Sequence, residues 1–173
     1  TRTAWRIGFA PAEWRALRTH LLAKGYSDSD LIDAGLTKEA GAGKEPYDVF
    51  RNRLMFPIAD ASGRIVAFSG RDMSGEPTAP KYVNSPETEL FSKSRILFGY
   101  DRAKNGIRTF DFSLVVEGQF DLVLSHQAGY TNAVAISGTA LKHEHLALLS
   151  RLSNRIVFAL DADKAGIASA KRA

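Results

Sequence analysis

At 173 residues, with 45% hydrophobic and 24% charged side chains, the chain is long enough to bury a core and too apolar to be disordered. It has no cysteine, which excludes disulfides and any cysteine-ligated zinc site and suits a reducing, cytoplasmic setting. A net charge of +4 and a pI near 9.4 suit a polyanionic partner, while no apolar run reaches the roughly 20 residues of a membrane helix and the amino terminus has no signal-peptide profile.

From Pro11 to Lys24, Trp14, Leu17, Leu21 and Leu22 recur at helical spacing behind a proline suited to a first turn, which predicts an amphipathic helix. A short second helix is predicted over Ser27–Ala34, with Ser27 and Asp30 as a capping box and Gly35 as the stop. Residues 37–46, rich in Gly and charge, read as a loop. The apolar runs Leu54–Ile58 and Ile65–Phe68 flank Asp60-Ala61-Ser62-Gly63 and predict a β-hairpin, with Pro57 at an edge or bulge. Three prolines mark residues 72–95 as an irregular connection, with a short helix expected around Glu87–Phe91.

From Phe112 onward the pattern alternates strand, helix, strand, helix, strand: SLVVE, QFDLVLSHQAG, NAVAI, KHEHLALLSRL and RIVFALD. Such alternation predicts a parallel sheet built from βαβ crossovers, its strands apolar because both faces are buried. A further helix is expected near Ala165, and an ending just inside it reads as a cut within a longer chain.

Glu117 closes the run Leu114–Val116 and Asp161 closes Ile156–Leu160. At the carboxyl ends of parallel strands, side chains face one shared crevice, so two acids distant in sequence are expected to meet. Asp163 follows Asp161 by two residues and points to the same side in an extended chain, and Asp121 stands one turn into the helix after Glu117. Gly118 and Gly166 leave room for close approach of a ligand. Clustered carboxylates call for a compensating cation, and hard oxygen donors select Mg²⁺ or Mn²⁺, the ions of phosphoryl chemistry. Spacing alone leaves open a second reading, in which Glu117 and Asp161 cap the helices that follow their strands.

The segments VVEGQFD (115–121) and ALDADKAG (159–166) resemble the Glu and Asp-x-Asp signatures of the Toprim fold, shared by bacterial primases, topoisomerases and some nucleases. Upstream, FRNRLMFPI (50–58), GRIVAFSGR (63–71), PKYVNSPET (80–88) and LFSKSRILFGYDRAK (90–104), with IGFAP (7–11) and SGTAL (137–141), resemble the polymerase domain of DnaG-type bacterial primases. The resemblance implies an α/β fold: a mixed α+β subdomain over residues 1 to about 110, then the first part of a Toprim fold with a parallel sheet over 111–173. It implies DNA-directed RNA polymerase (primase) activity, a metal-dependent nucleotidyl transfer that makes short RNA primers for DNA replication. It places the metal ligands on Glu117, Asp161 and Asp163 with Asp121 in support, and a nucleotide- and DNA-binding basic ridge on Arg51, Arg71, Lys81, Tyr82, Asn84 and Lys93. It also implies a single-stranded DNA template, ribonucleoside triphosphates, and a replicative helicase that, like zinc, would bind through a domain outside this chain. Gln119-Phe120 departs from the family's frequent Tyr-Met, and a further downstream acidic pair of the family falls beyond Ala173.

Other readings stand beside these. The acids alone also permit a topoisomerase or nuclease, or a non-catalytic nucleic-acid-binding module. Arg51 can pair with an acid such as Asp48 instead of a phosphate. His143 and His145 read as solvated residues at a helix start, on different helix faces, and Trp5 and Trp14 as packing anchors.

Overall fold

A computed structural model describes residues 1–136 and 141–161. Asp163, Gly166, most of the SGTAL segment and the helix expected near Ala165 lie outside the described residues. The backbone divides into two compact units, one of Arg2–Ile58 with Val66–Ser92 and one of Thr1, Ala59–Ile65 and the chain from Lys93 onward.

The first unit opens with β1 (Gly8–Ala10), α1 (Ala16–Leu22) and α2 (Asp28–Asp33). Then come β2 (Thr37–Lys38), β3 (Tyr47–Asp48), β4 (Arg53–Ala59), β5 (Ile65–Asp72) and β6 (Tyr82–Asn84). Strands β1, β4, β5 and β6 form one sheet in that order, antiparallel where β1 meets β4 and β5 meets β6. The expected hairpin is β4–β5. Its turn is fixed by Asp60, whose carboxylate accepts from the Ser62 N–H at 2.8 Å, the Ser62 hydroxyl at 2.7 Å and the Arg64 guanidinium at 2.9 Å. β1 pairs only with Arg53–Met55, so Pro57 falls beyond that pairing, where its missing N–H leaves no partner wanting.

Helix α1 starts five residues later than the periodicity suggested. The Pro11 and Trp14 carbonyls accept from the Asn52 and Asp48 N–H groups at 2.9 and 2.8 Å, so the chain before Ala16 runs beside the 48–52 backbone instead of coiling. The cap of α1 is tertiary. The buried Asp48 carboxylate accepts from the Leu17 and Arg18 N–H groups at 2.8 and 3.0 Å, across 31 and 30 residues of sequence. Helix α2 carries the expected capping box of Ser27 and Asp30 and stops at Gly35, whose φ is +67°.

Two local expectations need correction. The 37–46 loop is closed at its ends by β2 pairing with β3. Around Glu87–Phe91 there is no helix; Thr88 and Phe91 exchange backbone hydrogen bonds at 3.0 and 3.3 Å in a tight turn, as suits a segment entered through Pro86.

The second unit contains α3 (Tyr100–Phe110), β7 (Ser113–Val116), α4 (Gln119–Gln127), β8 (Ala133–Ala135), α5 (His143–Ser150) and β9 (Ile156–Ala159). β7 lies between β8 and β9, parallel to both, with Val116 in register with Ala135 and Ala159. The βαβαβ reading holds. Leu97, Tyr100, Ala103, Ile107, Val115, Val134, Ile136 and Leu149 form the core that fixes the sheet against its helices. Helix α3 was absent from the sequence reading, although Tyr100, Ala103 and Ile107 keep a buried face at helical spacing. Its Gly106 is required by contact: a Cβ there would stand 2.5 Å from the Thr131 carbonyl. β8 and β9 both flank β7 among the described strands, but only β8 is fully buried; Val157 and Phe158 of β9 are 47% and 37% exposed, contrary to the expected burial of both faces.

Candidate functional site

In the second unit, parallel pairing brings the ends of β7 and β9 side by side, and the chain positions of Glu117 and Asp161 just beyond them are neighbours. The Asp161 N–H donates to Glu117 Oε1 at 3.2 Å across 44 residues. Glu117 is half-buried, and Asp121 and Asp161 are exposed. Among the described residues no Lys or Arg forms an ion pair with Glu117, Asp121 or Asp161.

Asp121 has a second occupation. Its Oδ2 accepts the Gly118 N–H at 3.0 Å, closing the first turn of α4, and a Cβ at Gly118 would meet the same oxygen at 3.0 Å. The close approach at Gly118 is thus made by the chain's own carboxylate. Among the described residues no three His, Asp or Glu side chains stand close enough to hold a metal ion, and Asp163 lies outside them. What the structure brings together is the Glu117 carboxylate and the Asp161 backbone: a half-buried carboxylate, un-neutralised by a described basic side chain, that holds the chain beside an exposed second acid, and such hard oxygens are of the kind a divalent hard cation takes.

Asp111 in this unit has other work. Asp111, in the left-handed region at the end of α3, pairs with Arg155 and accepts from the Ser153 hydroxyl at 3.1 Å, which holds its carboxylate below the ordinary value and fixes the entry to β9.

Most of the proposed basic ridge lies in the first unit. Arg71 on β5 is directly opposite Tyr82 on β6, and Ser69 opposite Asn84. Arg71 Nη1 donates to the Tyr82 hydroxyl at 3.3 Å, and its guanidinium stands 5.8 Å from the ring centroid. Tyr82 and Asn84, two apart on one strand, share a face. Lys81 is exposed just before that strand.

Behind them sits Arg53, missed in the sequence. It is buried, donates from Nη1 to the carbonyls of Gly70 at 3.1 Å and Pro80 at 2.9 Å, and stands 3.8 Å from Asp72. It therefore fixes the backbone immediately before Lys81. Gly70 is small because Phe50 and Arg53 occupy the space a Cβ would need, each at 2.9 Å. A cation opening the apolar run RLMFPIA was the available signal, since a buried arginine demands fixed acceptors.

Arg51 does not use the Asp48 carboxylate. Its guanidinium donates to the Asp48 carbonyl and lies 4.2 Å from the Trp14 ring centroid and 5.1 Å from that of Tyr47. Trp14 is 59% exposed and meets Tyr47 edge-on at 5.5 Å, so it is no packing anchor, whereas Trp5 is buried. The result is a cation–aromatic cluster in which Trp14 is exposed and Tyr47 and Arg51 are half-buried.

Lys93 belongs to the second unit, half-buried on the segment before α3, and its carbonyl is hydrogen-bonded to His145 Nε2 at 3.0 Å. His145 is fully buried, against expectation, while His143 is exposed. Burial wins because both ring nitrogens are satisfied: Nδ1 accepts the Lys142 N–H at 3.2 Å, capping α5, and Nε2 faces the Lys93 carbonyl.

The sequence model described as the DNA primase catalytic core, N-terminal domain, matches residues 1–104, and that of the Toprim domain matches 111–173. The chain belongs to the DNA primase catalytic core family. A DNA primase of Synechococcus elongatus is 48% identical over 172 residues, covering 98% of this chain and 24% of that relative. A DNA primase domain from Pseudomonas aeruginosa is similar in structure, with a TM-score of 0.90 and 42% identity, covering 99% of this chain and 53% of that one. A DnaG primase catalytic domain solved bound to single-stranded DNA has a TM-score of 0.83 and 38% identity, covering 99% of this chain and 52% of that one. This primase-family chain thus spans about a quarter of the length of the curated relatives it matches. Its fold is that of primase catalytic cores, a mixed α/β arrangement in which an antiparallel sheet precedes a parallel one. No helix among the described residues is long and apolar enough to cross a membrane.

Proposed function

We propose that the protein containing this chain is a DNA primase that synthesises short RNA primers on single-stranded DNA, and that Glu117, Asp161 and Asp163, with Asp121 in support, hold its catalytic Mg²⁺ or Mn²⁺. The observation that carries this reading is the meeting of Glu117 and Asp161 across β7 and β9, without a described basic partner, in a chain of the primase catalytic core family. Residues 1 to about 110 and 111–173 would be the two subdomains, a division supported by the extents of the two family matches.

When bound, the ion lowers the pKa of the attacking 3′-hydroxyl and offsets charge developing on the α-phosphate. Glu117 and Asp161 bind it, and Asp121, one oxygen of which holds the first turn of α4, has the other free of that duty. Arg71 and Lys81 in the first unit, and Lys93 in the second, neutralise phosphates without reading sequence, Arg71 steadied by Tyr82, and Asn84 hydrogen-bonds on the Tyr82 strand. Arg51, braced on Trp14 and Tyr47, supplies a cation beside an exposed indole that can stack on an unpaired base. The template reading draws support from the relative solved on single-stranded DNA. Ribonucleoside triphosphates, the helicase and a cytoplasmic site at the replication fork follow from the primase reading. Nothing among the comparisons favours a topoisomerase, a nuclease or a non-catalytic module.

The test is ribonucleotide incorporation by the intact protein on single-stranded DNA, assayed beside strand cleavage. Metal-dependent incorporation without cleavage is expected; cleavage without incorporation would overturn the reading.

A further inference from the structure

His145 does no chemistry in the reading above, yet it is buried with both ring nitrogens in use. It is 0% exposed. Nδ1 accepts the Lys142 N–H at 3.2 Å, which leaves the ring proton on Nε2, and that N–H donates to the Lys93 carbonyl at 3.0 Å across 52 residues. One acceptor and one donor are both used, the pattern of a neutral imidazole in a single tautomer. The ring is anchored to the core through its helix, because Leu149, four residues along α5, packs with Leu97, four residues along from Lys93.

We propose that His145 is a positioning residue for Lys93, fixing the main chain from which the Lys93 ammonium reaches a phosphate of the incoming nucleotide. The proposal rests on the primase reading and deepens it, since a cation on an irregular segment binds phosphate well only if its backbone is already held. A buried histidine is suited to this role because it spans from the start of α5 to a carbonyl far away in sequence and keeps a fixed proton on the side that must donate. Glutamine at 145 retains an amide N–H of similar reach; leucine retains volume and no donor.

The experiment is a double-mutant square in the intact protein, reading KM for ATP and kcat in primer synthesis for wild type, His145→Leu, Lys93→Ala and the double variant, with His145→Gln as the conservative control. His145→Leu is expected to raise KM about tenfold with kcat within about twofold, His145→Gln to recover most of that loss, and His145→Leu to change KM by less than about twofold once Lys93 is alanine. Equal KM increases in both backgrounds would overturn the proposal, and so would a fall in kcat with KM unchanged. Should the leucine variant fail to fold, the same square is read with His145→Met: a KM increase that disappears once Lys93 is alanine supports positioning, and no increase, or an equal increase in both backgrounds, overturns it. A Lys93→Ala variant with normal KM overturns positioning while leaving primer synthesis standing; wild-type protein that incorporates no ribonucleotide overturns the primase reading itself.

Discussion

Asp48 shows how a single acid can be committed before any ligand arrives. Its carboxylate is buried and caps α1 through the Leu17 and Arg18 amides, while its carbonyl receives Arg51. Asp48→Ala should lower stability by about 2 kcal/mol in denaturant titration, because two helix N–H groups lose their acceptor in a buried place. The residue scale is also where sequence was least informative. Glu117 and Asp161 were legible because each ends an apolar run, and strand ends in a parallel sheet converge whatever the details. Arg53, His145 and the exposure of Trp14 were not, because each depends on a partner 27 or more residues distant: Pro80, Lys93 and Tyr47.

Among the elements, the βαβαβ run was readable throughout because strand and helix alternate with clear boundaries, whereas α1 was misjudged at its start. Periodicity counted Trp14 into the helix, but the Asp48 amide takes the Trp14 carbonyl, a tertiary competitor invisible locally. Helix α3 was overlooked for the opposite reason: Gly106 breaks its propensity, yet the close approach to Thr131 requires it. Helices α4 and α5 also carry the pH response. Burial holds His126 on α4 and His145 on α5 below their ordinary value, so the folded chain resists protons that the unfolded chain takes up. Stability should be full above about pH 6.5 and fall as pH drops below it, since the unfolded state then binds more protons. Urea midpoints at pH 7.5 and 5.5 would read this, with the lower midpoint at 5.5 and a smaller drop in His145→Gln. The carboxylates held low, Asp28, Asp30, Asp60, Asp72 and Asp111, contribute stability that is lost only further down, below about pH 4, outside that window. No such fall between pH 7.5 and 5.5 would mean that the two histidines are not held neutral.

For the whole molecule, a net charge of +4 says little until individual cations are placed. Lys81 stands exposed beside a backbone fixed by Arg53, so Lys81→Ala should weaken single-stranded DNA binding with little change in fold and lower the slope of log affinity against log salt by about one. An unchanged slope would remove Lys81 from the phosphate contacts. Family membership was legible because motifs recur in register along the chain, far beyond what two acidic segments alone could specify. The central claim, that Glu117 and Asp161 together bind the catalytic cation, is most directly tested by titrating Mg²⁺ into the wild-type chain and Glu117→Gln while following the Gly118 and Asp161 amide signals by NMR. Saturable shifts at both amides in the wild type, weakened about tenfold or more in Glu117→Gln, are predicted; the same response in both proteins, or none in either, would contradict it.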